Sequence, residues 1–235
     1  MSKKIIGLVI SATLLFSLAG CGNKTNEINE STNNTTKQAQ VTENQQKKFD
    51  GLQGAWIKDF THDEFVKEGD TLMTKVEDLT KEFGLDYKKE DKVDKVNAVT
   101  ANIKSIYLDN KKPEANKLES MQFEEQLIGD AQDSGRFQMK LSLKFDGEGA
   151  IKDGKFNLGD TSLAKYAAIM TGEPDRNYDE INKKIMDIIK SDKTEGIIDN
   201  TINGLVEEYA VSKDYIVYTI STKIYKFTNK SEGLK

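Results

Sequence analysis

The chain has 235 residues, 31 % of them charged, a formal net charge of −5, and only one Cys, one His, one Trp and two Pro. One Cys excludes a disulfide framework and Cys-cluster zinc sites, and one His excludes two-His metal motifs. The basic residues are 32 Lys and two Arg, Arg136 and Arg176, and acids outnumber them. A chain so poor in guanidinium forks and carrying net negative charge is not built to hold nucleic acid.

The N-terminus reads as an address. Lys3 and Lys4 precede an uncharged run of 14 residues from Ile5 to Leu18. At ~1.5 Å per residue it reaches ~21 Å, short of a ~30 Å hydrocarbon core, so it is a signal peptide rather than a span. It ends in Leu18-Ala19-Gly20-Cys21. These residues resemble the lipobox of bacterial lipoproteins. The resemblance implies cleavage between Gly20 and Cys21, a diacylglyceryl thioether on the Cys21 sulfur, and acylation of its new amino group by a fatty acid such as palmitate. It covers the first 21 residues only, and no motif in the folded part carries a family resemblance. Loss of the two signal lysines takes the net charge from −5 to −7. An acidic chain is repelled by an anionic bilayer, so the lipid must hold it there. The expected place is the cell membrane, lipid-anchored and outside the cytoplasm. The Lys-for-Arg bias and abundant Asn and Ile fit a low-GC Gram-positive source.

Residues 22–48 hold 15 Asn, Thr and Gln in 27 positions, with Ile28, Ala39 and Val41 as their only aliphatics. That composition cannot offset its ordering entropy, and a disordered tether is expected. A folded extracytoplasmic domain is expected over 49–235.

Within it, Thr61 and Glu64 form a capping pattern with Phe60 and Phe65 as a staple, and Asp70 offers a second cap after Gly69. Leu72, Val76, Leu79 and Phe83 continue the helical face to Gly84. Residues 89–110 fit either period, and the β-branched content favours a strand over 97–108. Met121, Phe123 and Leu127 lead across a turn near 130–135 into Phe137–Phe145, which alternates strictly and must be a strand with one wet face. Asp153-Gly154 signals a tight turn. A second helix is expected from Asp160 or Thr161 to Gly172, and a third from Asn177, with Glu180 completing its box and Ile181, Ile185, Ile188 and Ile189 on one side. Residues 194–203 are ambiguous. Leu205–Val211 and Tyr215–Phe227 read as a closing pair of strands.

No regular strand–helix alternation appears, so the expected class is α+β: an antiparallel sheet with about three helices packed on one face. Gln122-Phe123-Glu124-Glu125 and Leu205-Val206-Glu207-Glu208, 83 residues apart, hint at a duplicated helix-plus-hairpin unit with halves 49–158 and 159–235.

Chemistry is sparse. There is no nucleophile elbow, phosphate loop or zincin motif. His62, the one imidazole, is expected to face solvent in the first helical turn. The Asp146–Asp153 loop carries oxygen ligands but not EF-hand spacing. The paired acids read as solvated surface. No cofactor or metal is expected. The candidate partner contacts are Trp56, Tyr218 and Tyr225, large aromatics of the kind that anchor interfaces. The expected function is a non-catalytic lipoprotein that binds a protein, peptide or small ligand in the cell envelope. The competing class is an envelope hydrolase using His62 and carboxylates of the 146–160 loop.

Overall fold

The computed structural model describes residues 46–96 and 99–228. The signal peptide, Gly20, Cys21 and the tether as far as residue 45 lie outside the described residues.

The fold is α+β, built on one antiparallel sheet. Its strands are β1 (Lys88–Val96), β2 (Val99–Asp109), β3 (Lys117–Ile128), β4 (Ser134–Lys144), β5 (Glu195–Ile202), β6 (Leu205–Ser212), β7 (Tyr215–Ser221) and β8 (Tyr225–Lys226). Spatial order is β1-β2-β3-β4-β7-β6-β5, with β8 pairing the start of β4. Two meanders thus meet at β4 and β7, registered from Gln138↔Ser221 to Lys144↔Tyr215. Halves 49–158 and 159–235 therefore share one sheet, and the main apolar core draws on both.

Among the described residues four helices cover one face: α1 (His62–Glu82), α2 (Gly147–Asp153), α3 (Ser162–Thr171) and α4 (Asp179–Lys190). The face they bury is the inward set of the alternating strands: Phe123, Phe137, Met139, Leu141, Tyr218 and Ile220, among others. The opposite face is largely polar along β3 and β4, with a small second apolar cluster of Val96, Ala101, Ile103 and Ile128. There Arg136 Nε donates to Gln126 Oε1 at 2.6 Å, and Gln122 donates to Glu124 at 2.7 Å.

Local signals explain most boundaries. α1 starts on a complete capping box, Thr61 with Glu64. Phe60 packs edge-on to Phe65 at 6.0 Å, which is the staple. Gly84, at φ 65°, follows its end. Several expectations need correction. The helix does not restart after Gly69; it runs unbroken through it. Residues 88–96 and 195–202 are both strands. Asp153-Gly154 is not a strand turn but the left-handed end of α2, whose N-cap is Asp146. The α4 box is absent: Asn177 Oδ1 accepts from the Asp179 N–H at 2.6 Å and no side chain caps the helix from Tyr178.

Candidate functional site

The sheet carries two acids on its helix-covered face, Glu125 on β3 and Glu207 on β6. Each comes from a Glu-Glu pair whose other member, Glu124 or Glu208, points to the opposite face, because neighbours on a strand alternate. The expectation that all four were solvated is corrected on this point. The two buried carboxylates differ in how they are satisfied.

Glu207 is fully engaged. Arg176 forks onto it, Nη1 to Oε1 at 2.6 Å and Nη2 to Oε2 at 2.7 Å. Asn200, its cross-strand neighbour, donates to Oε2 at 2.8 Å, and the Tyr218 hydroxyl donates to Oε1 at 2.6 Å. The guanidinium lies 4.7 Å from the Tyr178 ring centre. Burial works against the Arg176 charge, yet the Glu207 carboxylate keeps it firmly protonated, above the ordinary guanidinium range. Burial and the same carboxylate push the Tyr218 phenol well up. This clasp ties the segment after α3 to the sheet and leaves no free valence for a ligand.

Glu125 is the opposite case. It is 3 % exposed, and its Oε2 is buried with no hydrogen-bond partner. Its direct cross-strand neighbours are Lys104 on β2 and Phe137 on β4. Lys104 turns away to pair with Asp70 of α1. Above the carboxylate sits Gly69, where a Cβ would stand 1.9 Å from Oε2 and 3.1 Å from Phe137 Cε1. A Cβ at this position would have to push the Glu125 carboxyl aside, and glycine leaves it in place at the helix-propensity cost α1 carries here. Burial raises the Glu125 carboxyl to about 7; Lys104 opposes the shift, and Asp70 and Asp91 add to it.

Glu125 lines a groove of about 410 Å³ between α1 and the β1–β2 hairpin. The register lays two cross-strand rows along its floor: Asp91, Lys104 and Glu125, and beside them Val93, Asn102 and Leu127. Val66 of α1 adds an apolar wall. Val93, at 69 % exposure, holds the open side. A buried polar atom left unpaired is rare in native structures and asks for an explanation, often an absent binding partner. Sequence reasoning missed this site because Glu125 was read as half of a surface pair. The usable signal was the strand period: counted from Phe123, residue 125 falls on the apolar face.

The aromatic residues proposed as partner contacts lie elsewhere, inside the core. Trp56, Tyr218 and Tyr225 are 8 %, 0 % and 2 % exposed. Trp56 Nε1 donates to the Met170 carbonyl at 2.8 Å, and the Tyr225 hydroxyl donates to the Trp56 carbonyl at 2.7 Å. Trp56 and Tyr225 brace the 55–57 turn against α3 and β8, while Tyr218 belongs to the Glu207 clasp, and all three are buried. His62 does not face solvent either. Its ring meets Phe227 edge-on at 5.5 Å, and its side chain is 15 % exposed. Phe227 follows β8, which pairs with the Ser134 end of β4, whereas Asp146 follows the Lys144 end. An eleven-residue strand spans roughly 30 Å, so His62 and the 146–160 carboxylates do not converge. Asp146 Oδ1 accepts from the Gly149 N–H at 2.9 Å and is an N-cap. Among the described residues no group of three His, Cys, Asp or Glu is placed to hold a metal ion, and no helix is long and apolar enough to cross a membrane.

Comparison with protein-family models, with curated proteins and with solved structures found no match to this chain.

Proposed function

We propose that this chain is a membrane-anchored extracytoplasmic lipoprotein that performs no reaction and captures a ligand in the groove between α1 and the β1–β2 hairpin. The observation that carries the reading is the unpartnered, buried Glu125 oxygen beside that groove. A ligand group supplies what the fold withholds. Lipid on Cys21 supplies the location, since two or more acyl chains hold a protein at a bilayer without a spanning helix. No cofactor enters, and the acidic balance keeps nucleic acid out of the partner set.

Two measurements test the two parts. Cys21→Ser, expressed in a Gram-positive host, releases the protein from the membrane fraction and abolishes incorporation of labelled palmitate; unchanged pelleting with no label in the wild type overturns the anchor. For the groove, Val93→Trp fills the mouth from an exposed position and leaves the core intact. Small ammonium, carboxylate and hydroxyl compounds titrated into the isotope-labelled full chain shift the amides of Val66, Val93, Asn102 and Leu127, and the shifts vanish in Val93→Trp. Shifts confined to the polar sheet face around Arg136 and Gln138 overturn the groove.

A further inference from the structure

The groove reading leaves the ligand's chemistry open, and the inference here rests on that reading. We propose that the groove takes an organic cation, a primary ammonium on a short apolar stem, seated on the Glu125 carboxylate.

Four features select that chemistry. First, the unpaired group is an acid, and an ammonium brings three donors and no acceptor. Second, the cation already nearby is committed: Lys104 is paired with Asp70, and Lys92 lies 3.7 Å from Asp94. Two carboxylates, Asp91 and Glu125, therefore line the groove from β1 and β3. An anionic ligand meets like charge there. Third, Val66, Val93 and Leu127 give a stem apolar walls beside the acid floor. Fourth, Gly69 lets the α1 backbone pass directly over Oε2, which seals that side of the carboxyl and leaves the groove as the side from which a ligand reaches Glu125. A divalent metal is the weaker fit, because no three ligand side chains converge among the described residues.

The proton balance follows. Below its midpoint the Glu125 carboxyl is neutral, so RNH3⁺ binds the ionised form and one proton leaves to the buffer: Glu125–COOH plus RNH3⁺ gives Glu125–COO⁻···⁺H3NR plus H⁺. Lys104, raised by its bond to Asp70, stays charged. Affinity for the ammonium therefore rises with pH until the carboxyl is fully ionised.

The test uses n-butylammonium and cadaverine against the full chain, with n-butanol and butyrate as neutral and anionic controls. Calorimetry is run in phosphate and in MOPS, since Tris is itself a primary ammonium. With a carboxyl midpoint near 7, the association constant climbs about thirty-fold from pH 5.5 to 8. The difference in heat between buffers reports close to one released proton at pH 5.5 and little at pH 8. Glu125→Gln lowers n-butylammonium affinity at pH 8 by roughly tenfold or more and flattens its pH dependence. Should that variant not fold, Asp91→Asn, on an exposed strand, weakens binding about threefold and keeps the slope. If n-butanol shifts the groove amides as strongly as n-butylammonium, or if affinity is flat with pH, the cation inference falls and the groove stands. If none of the four probes moves Val66, Val93 or Leu127, both fall.

Discussion

Glu125 makes stability depend on pH in a calculable way. Its carboxyl moves from 4.5 to about 7 on folding. The unfolded chain releases the proton near 4.5, while the folded chain holds it to about 7. In that window the native state binds more protons, so native stability falls as pH rises, then levels off above 7. At ~1.4 kcal/mol per pH unit, the loss between pH 5 and pH 8 is about 2–3 kcal/mol. Glu125→Gln keeps the volume and removes the titration. Its amide still lacks partners, which costs ~1–3 kcal/mol at every pH, so the offset between the two proteins is not diagnostic and its change with pH is. Urea unfolding of both, followed by far-ultraviolet circular dichroism at pH 5, 6, 7 and 8, gives the difference directly. The wild type is expected to lose about 2–3 kcal/mol relative to the variant across the range. Glu77, held down at about 2 by Lys81, Lys89 and Tyr87, titrates below the window and does not intrude. Parallel stability curves would refute the buried, unpaired state of Glu125.

Other substitutions probe the same architecture. Gly69→Ala gains ~1 kcal/mol of helix propensity in an open helix, yet here it drives a methyl into Glu125, so melting falls; in a Glu125→Ala background the loss shrinks, and an equal loss in both backgrounds would sink the pairing of these two residues. Arg176→Met strands the Glu207 charge and costs ~3–5 kcal/mol in chemical denaturation, whereas Arg176→Met with Glu207→Leu recovers most of it; failure of the double variant to recover argues against a compensated pair. Thr61→Ala removes the α1 capping box and costs ~1 kcal/mol, read as a lower urea midpoint at unchanged slope.

The parts of the fold legible in the sequence were those whose signals are local. Thr61 with Glu64, the five alternating apolar positions from Phe137 to Phe145, and the isoleucine stripe of α4 each state their element without help from the rest of the chain. Where the signal was tertiary, reading failed. Gly69 resembles a helix break because its reason lies across the groove, in Glu125. The 89–96 segment has no buried face until Val96, so its period is silent; it is a charged edge strand, of the kind that discourages further pairing. Residues 195–202 did carry a local signal that went unused, Asn203-Gly204. Both have positive φ, 53° and 85°, and they join β5 to β6 with Ile202 opposite Leu205. Asn-Gly between apolar runs is the strongest short hairpin signature. The echo at a spacing of 83 was misleading in a way that strand geometry explains. The two buried acids, Glu125 and Glu207, stand 82 apart, and a slip of one residue exchanges the faces of a strand.

That offset sharpens the contrast on which the functional reading rests. β3 and β6 occupy matched places, each next to one strand of the central β4–β7 pair, and each sends one glutamate into the helix-covered face. Folding alone accounts for Glu207. Its guanidinium fork, its amide and its tyrosine fix Arg176 and the chain around it, and such clasps serve to specify one arrangement. Folding does not account for Glu125. A leucine there would bury apolar surface beside Phe137 without a desolvation cost, and an alanine at residue 69 would then stiffen α1. The chain instead holds an uncompensated acid, a helix-interior glycine that makes room for it, and a lysine drawn off to Asp70. Three departures from the most stable choice converge on one carboxyl at the side of an open groove, and the proposed ammonium ligand would account for all three at once.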